Sequence, residues 1–121
     1  MTFILALILA IAASIPSVAS RAQPTNAPAN VSVTGQATWY RTGLHHAAAG
    51  PVLRHALRVR YGSWRGRWVS VCRQGTCVRV KLTDWCACGP RHGRPTLIDL
   101  DARDFARLAS PSRGVIWVSV R

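Results

Sequence analysis

A single aspartate stands where a strand pattern ends. Residues 78–83 alternate apolar and polar side chains with a period of two, which predicts a strand with one buried face, and Asp84 follows directly. A carboxylate that a rigid strand holds at the edge of a loop is well placed to donate and accept a proton. The same side chain can instead order the loop by accepting hydrogen bonds from backbone N–H groups. Asp84 is therefore the first candidate for chemistry, and a structural role is its alternative.

The four cysteines fall into two close pairs. Cys72 and Cys77 flank a predicted hairpin turn, where cross-strand side chains come within bridging distance, so we expect a disulfide between them. A bond between Cys86 and Cys88 closes a small ring, and a crossed pairing with the hairpin is the alternative. A zinc ion on Cys86, Cys88, His92 and one hairpin cysteine is the rival hypothesis. Structural zinc sites usually place about two to four residues between paired cysteines, so we expect no metal and no other cofactor.

The elements that must position these residues are mostly strands. Residues 67–72 and 77–82 alternate on either side of a four-residue segment that contains glycine, which predicts a hairpin. Residues 35–40, 96–100 and 115–120 predict further strands, and residues 41–51 predict a loop.

Residues 53–61 fit a short helix or an extended segment. Residues 101–109 predict a helix with Asp101 as its N-cap and Asp104 in its first turn. The pattern indicates a small, mainly β barrel with one or two short helices.

The N-terminal residues differ in composition from the rest. Residues 1–20 carry no charge and hold an apolar run of about 13 residues before small side chains, whereas a membrane-spanning helix needs about 20. We predict a secretory signal over residues 1–20, a flexible linker over 21–34 and a folded domain over 35–121. An uncleaved N-terminal anchor is the alternative. The predicted location is secreted or in the cell envelope, with no membrane contact beyond this segment.

The charge is strongly one-sided. Sixteen Lys and Arg residues face four acidic ones, a formal net charge of +12. Such a surplus on one small domain indicates an anionic partner, which for an exported protein is an acidic cell-wall polysaccharide or a lipid surface. Export argues against nucleic acid. A monomer is expected.

Five short motifs, taken in order, resemble the RlpA-like (rare lipoprotein A) double-psi β-barrel family, which is related to expansin and barwin-type domains. They are GQATWY at residues 35–40, VRVKLTD at 78–84, a Gly/Pro loop, LIDL at 97–100 with the helix after it, and RGVIWV at 113–118. The resemblance covers nearly the whole domain and implies a six-stranded double-psi β-barrel.

The resemblance also implies an activity. Active family members are lytic transglycosylases of peptidoglycan, and Asp84 falls on their catalytic aspartate. A single carboxylate suits this reaction, because one group can protonate the leaving oxygen and then take the proton of the sugar's own 6-hydroxyl. Hydrolysis of a glycosidic bond usually needs two carboxylates. The other three acids fall at a strand end and a helix start, which we take to explain them.

One family motif is missing. Active members carry a histidine where this chain has Gly50 or Pro51, and we expect His45, His46 and His55 to be solvated loop side chains. Two hypotheses therefore stand side by side. One is a lytic transglycosylase that uses Asp84 as general acid and base, and the other is a non-catalytic module that binds peptidoglycan or another wall polysaccharide.

Aromatic side chains are the expected sugar contacts in both hypotheses. At least two of the five tryptophans should instead be buried in the core. The predicted substrate-binding residues are Trp39, Tyr40, Trp85 and His92.

Overall fold

The computed structural model describes residues 13–14, 31–88 and 95–121. The predicted signal and linker lie largely outside these residues, as does the Gly/Pro loop with His92. None of the helices within the described part of the chain is long and apolar enough to cross a membrane.

Six strands form a closed barrel, as the sequence predicts. Their order around the barrel is β1-β5-β2-β4-β3-β6, with parallel pairing of β1 with β5 and of β2 with β4. The interior is filled by the alternating apolar side chains of the strands, since each strand turns one face inward. The strands are β1 (Val33–Tyr40), β2 (His46–Ala49), β3 (Trp68–Arg73), β4 (Thr76–Trp85), β5 (Thr96–Asp101) and β6 (Ile116–Val120).

Two helices cover parts of the barrel. The segment for which the sequence left a helix or an extended conformation open is helix α1 (Pro51–Tyr61). It begins at a proline and buries Leu53 and Leu57, which lie one turn apart. Gly62, with φ 83°, follows the last helical residue as the C-cap. Helix α2 (Ala102–Leu108) begins as predicted, because the Asp101 side chain accepts a hydrogen bond from the Arg103 N–H at 2.9 Å. A short 3-10 helix, Pro111–Arg113, leads into β6.

The hairpin of β3 and β4 carries the predicted disulfide. Cys72 and Cys77 are direct register partners and their sulfur atoms are bonded at 2.06 Å. The turn itself is shorter than predicted, because only Gln74 and Gly75 separate the strands. Both have positive φ, 49° and 83°, which is the conformation that two-residue hairpin turns require.

The sequence prediction missed β2. Residues 41–51 were predicted to be a loop, yet His46–Ala49 pair with β4 on one side and β5 on the other. Alanine has a low strand propensity, so the run of three alanines gave no strand signal. Its small side chains allow the strand to lie between two neighbours, and Ala47 and Ala49 are fully buried in the core.

Gly50 follows β2 at a point of very close backbone approach. Its N–H donates to the Leu97 carbonyl oxygen at 2.8 Å. A Cβ added there would overlap the Thr96 carbonyl oxygen and lie 2.9 Å from that of Leu97. These atoms are backbone and cannot rotate away, so a side chain at this position would push β5 off β2.

We therefore predict that Gly50→Ala destabilises the barrel by about 3 kcal/mol or more, because the overlap can be relieved only by moving a strand. Gly66→Ala is the matched control. Gly66 has φ 79° and nothing lies within 4 Å of an added Cβ, so it should cost only about 1 kcal/mol of backbone strain. Urea unfolding of both variants measures the difference, and equal losses would contradict the close-packing argument.

Candidate functional site

Four neighbouring strands place one residue each in a row on the outer face of the barrel. Thr38 of β1 is the register partner of Asp99 of β5, Asp99 is the partner of Ala48 of β2, and Ala48 is the partner of Asp84 of β4. Register partners on adjacent strands project to the same face. A register shift between Ala47 and Ala48 leaves Thr83 unpaired and turns Asp84 outward, although Leu82 two residues earlier points inward. Ala48 is buried but does not belong to the core cluster, which fits a position on the outer face. We call these four residues the carboxylate row.

Asp84 lies at the exposed end of the carboxylate row. It belongs to the last part of β4, not to the loop that follows. One of its carboxylate oxygens accepts a hydrogen bond from the Trp85 N–H at 2.8 Å. Within the described part of the chain, no lysine or arginine side chain bonds to it. A carboxylate in this setting is open to a ligand.

Asp99 is a site residue that the sequence analysis missed. It lies inside β5 and not at its end, and its carboxylate accepts a hydrogen bond from the Thr38 hydroxyl at 2.8 Å. Two strand spacings separate the Asp84 and Asp99 backbones, about 10 Å. The small side chain of Ala48 lies between them. Asp99 lies in the row of Asp84 because β2 pairs with both β4 and β5, and the sequence does not indicate this pairing.

Tyr40 lies two residues beyond Thr38 on the same face of β1. Burial raises the pKa of its hydroxyl above the usual value, and the negative charges of Asp84, Asp99 and Asp101 raise the pKa further, while the Thr42 side chain acts in the opposite direction. The phenol therefore stays protonated and can donate a hydrogen bond. Its predicted role as a sugar contact stays a prediction.

An arginine of α1 holds the segment that carries Trp85. The Arg54 guanidinium donates to the carbonyl oxygens of Ala49 at 2.7 Å and Cys86 at 3.0 Å, and lies 5.5 Å from the centroid of the Trp85 ring. The Cys86 N–H also donates to the Ala49 carbonyl oxygen. Trp85 is 54% exposed, so its ring is available for stacking next to Asp84.

The other predicted sugar contacts are not part of the described site. Trp39 is partly buried against the core, and its indole N–H donates to the Pro111 carbonyl oxygen at 2.8 Å. His92 lies outside the described residues. The expectation of two or more buried tryptophans was wrong, because Trp64 alone is buried. The core is filled mainly by aliphatic side chains and Phe105, and the other four tryptophans lie at the surface or against the edge of the core. The exposed tryptophans are Trp68, Trp85 and Trp117.

The expectation of solvated loop histidines holds only in part. His46 and His55 are exposed but belong to β2 and α1. His45 is bound to Asp104 of α2 through its backbone N–H at 2.7 Å and through Nδ1 at 2.8 Å. His46 is exposed, but its Nδ1 is 3.1 Å from the Thr83 hydroxyl. It also precedes Ala48 by two residues on β2, which places it on the face of the carboxylate row. Its neighbour Thr83 directly precedes Asp84.

The second cysteine pair is formed by Cys86 and Cys88, whose sulfur atoms are bonded to each other. Because Cys72 is bonded to Cys77, the zinc set that borrows a hairpin cysteine is wrong. The Asp99 carboxylate and the sulfur atoms of Cys86 and Cys88 lie within 4.8 Å of one another. These three residues would be candidate metal ligands only in the reduced state, since a disulfide has no thiolate to offer.

The fold resembles that of solved proteins. A Streptomyces papain inhibitor matches with a TM-score of 0.57 and 24% identity over 78% of this chain and 96% of the inhibitor. The apo form of a Clavibacter michiganensis expansin matches with a TM-score of 0.55 and 20% identity over 75% of this chain. An aspartate-to-asparagine mutant of that expansin in complex with cellohexaose matches with a TM-score of 0.54 and 19% identity over 75% of this chain.

These likenesses establish the fold. The resemblance to RlpA-like and expansin double-psi β-barrels is confirmed at that level. This chain spans about half the length of the expansin chains, which it matches over 50% of their residues. No protein-family model matches the chain, and neither does any curated protein.

The role of Arg54 leads to a prediction about the Trp85 segment. Arg54→Ala removes two charge-assisted hydrogen bonds, so the Cys86 amide should exchange its hydrogen about tenfold faster. Arg58→Ala is the control, since Arg58 is an exposed arginine of the same helix. Hydrogen exchange read by mass spectrometry measures the effect. Equal exchange in the two variants would show that Arg54 does not hold the segment.

Proposed function

We propose that this protein is exported and engages cell-wall polysaccharide across the carboxylate row, with Asp84 as the group that transfers protons. The observation that carries the proposal is the exposed Asp84 carboxylate beside the exposed Trp85 ring, with no cation of the described chain bound to it. A flat aromatic surface next to a carboxylate suits a sugar chain, because one sugar can stack on the ring while the adjacent linkage meets the acid.

The comparisons support the class of partner. The expansin neighbour was solved with bound cellohexaose, and this chain has the same barrel. The disulfide between Cys72 and Cys77 supports export, since such bonds persist in oxidising compartments. Peptidoglycan is the polysaccharide we propose, on the strength of the motif resemblance at residues 78–84 and 97–100.

The proposed reaction is that of a lytic transglycosylase. Protonated Asp84 donates its proton to the glycosidic oxygen as the bond from that oxygen to the sugar C1 breaks. The Asp84 carboxylate then takes the proton of the sugar's 6-hydroxyl, whose oxygen bonds to C1 and closes an anhydro ring. No water is consumed, and the carboxyl group returns to its starting state. Stacking of a sugar on Trp85 would exclude water from this step.

The remaining residues of the site have supporting roles in this proposal. Asp99 is fixed by Thr38 and faces the developing positive charge at C1 as a carboxylate, which stabilises it. His46 takes the place of the missing family histidine, because it lies on the same outer face and contacts the residue before Asp84. Gly50 cannot carry such a side chain. A non-catalytic polysaccharide-binding module is the alternative.

Asp84→Asn tests the catalytic role. The variant keeps the shape of the side chain and removes its proton chemistry, so release of anhydro-muropeptides from purified peptidoglycan should fall by about 100-fold or more. Asp99→Asn is the matched variant in the same row and should lose less activity, because it retains the proton-transfer group. Unchanged product release by Asp84→Asn would end the enzymatic hypothesis, and retained peptidoglycan binding would then support the binding module.

A protease inhibitor is a second candidate function. The observation that favours it is the extent of the structural match, which covers 96% of the papain inhibitor but 50% of the expansins. Under this function the chain should inhibit papain in a titration to a defined stoichiometry, because inhibitor interfaces of standard size bind tightly. An equal concentration of the Gly50→Ala variant, which has a disturbed barrel, is the control. Full papain activity at excess protein would exclude the inhibition of papain.

A further inference from the structure

A second groove lies between α2 and the outer face of the β3–β4 hairpin. It is open and has a volume of about 620 Å³. Its lining combines one aromatic ring, two guanidinium groups, one imidazole and the hairpin disulfide. The residues that line it are His45, Trp68, Cys77, Arg79 and Arg107.

The histidine of this groove is held in a fixed position. The fully buried Asp104 accepts hydrogen bonds from both the His45 backbone N–H and Nδ1, and the His45 carbonyl oxygen accepts one from the Lys81 N–H at 2.8 Å. His45 also has φ 63°, a left-handed conformation that is uncommon outside glycine. A strained residue that two elements hold in place is typical of a functional position. Because Nδ1 is occupied, Nε2 is the ring nitrogen left for a ligand.

The two arginines give the groove its charge. Arg79 and Arg107 are exposed, and neither forms an ion pair with a carboxylate of the described chain. The Asp104 charge lies behind His45 and is buried. Guanidinium groups bind planar oxyanions through paired N–H donors, so the groove suits a carboxylate or phosphate group.

The exposed ring of Trp68 indicates that the anionic group belongs to a sugar chain. Its side chain is 52% exposed and is the register partner of Lys81 on β4. Lys81, Thr83 and the carboxylate row follow one another along the outer face of β4, so the backbones of Arg79 and Asp84 are about 17 Å apart. A sugar chain that stacks on Trp85, passes Asp84 and runs along the outer face of β4 would reach Trp68 and this groove.

We infer that this groove is a subsite for an oxyanion group of an acidic polysaccharide. Arg79 and Arg107 bind the carboxylate or phosphate, Nε2 of His45 accepts a hydrogen bond from a sugar hydroxyl, and Trp68 stacks on the adjoining sugar ring. The inference takes its sugar class from the proposed function. It needs neither Asp84 nor any reaction there.

The test is binding of a labelled oligogalacturonate to the full chain at 0.15 M salt, read by fluorescence anisotropy. Surface charges more than about 8 Å apart are screened at this ionic strength, so contact interactions dominate the signal. Arg79→Gln and Arg107→Gln should each weaken binding about tenfold, because each removes a charge-assisted contact. Arg58→Gln removes the same charge from α1 and should change binding less than about twofold.

The stacking contact of Trp68 is tested by a variant and a matched control. Trp68→Ala should weaken binding about threefold through loss of stacking, whereas Trp117→Ala, an equally exposed tryptophan on β6, should not. Circular dichroism and thermal melting of each variant establish that the barrel is intact. A glycerol-phosphate oligomer measured in parallel shows whether phosphates or carboxylates bind more tightly.

Several results would overturn the inference. Equal weakening by Arg79→Gln and Arg58→Gln would show that only the total charge matters. Equally tight binding of a single-stranded oligonucleotide through Arg79 and Arg107 would identify nucleic acid as the partner class. The binding measurement involves no bond cleavage at Asp84, so a failure of the proposed reaction leaves this result unaffected.

Discussion

The structure depends on a strand that has almost no side chains. After His46, β2 consists of three alanines between β4 and β5, and the Cα of Gly50, which follows, packs closely against the carbonyl oxygens of Thr96 and Leu97. This close packing closes the barrel, because β2 joins one set of strands to the other. It also fixes the distance between the two carboxylates, since Asp84 and Asp99 are both register partners of Ala48. The same constraint that completes the core thus builds the carboxylate row.

The sequence predicted those strands, turns and helix starts that depend on residues close to one another in the chain. The alternation of Val78, Val80 and Leu82, the disulfide across the hairpin and the Asp101 cap were all confirmed, because each depends on neighbours in sequence. β2 was missed because its identity comes from the two strands beside it. Alanine and glycine carry no alternating pattern, and only the long-range pairing makes them a strand.

The residues of the candidate site show the same difference between local signals, which the sequence contains, and long-range pairing, which it does not. Asp84 was found from sequence because a strand pattern leads to it and a motif resemblance covers it. Asp99 was assigned to a strand end, since nothing in the sequence places it opposite Ala48 or beside Thr38. The binding of His45 by Asp104 was equally out of reach, because 59 residues separate the two in the chain. Sites that form where distant strands meet are visible only once the register is known.

Part of the positive charge has a structural role. Several arginines donate to backbone carbonyl oxygens and so fix loops and helix ends; they include Arg54, Arg65, Arg67 and Arg73. Arg103 is paired with Asp101 and lowers the pKa of that carboxyl to about 2.

These arginines replace ladder and cap hydrogen bonds that the short strands and the irregular loops leave unmade. Their positive charge therefore follows from the architecture and does not by itself indicate a ligand. Arg79 and Arg107 differ, because within the described chain neither bonds to a carboxylate or supports a loop, and both line one groove with His45. Specific recognition of an anion requires cations with this freedom, so Arg79 and Arg107, and not the net charge of +12, provide the proposed binding site.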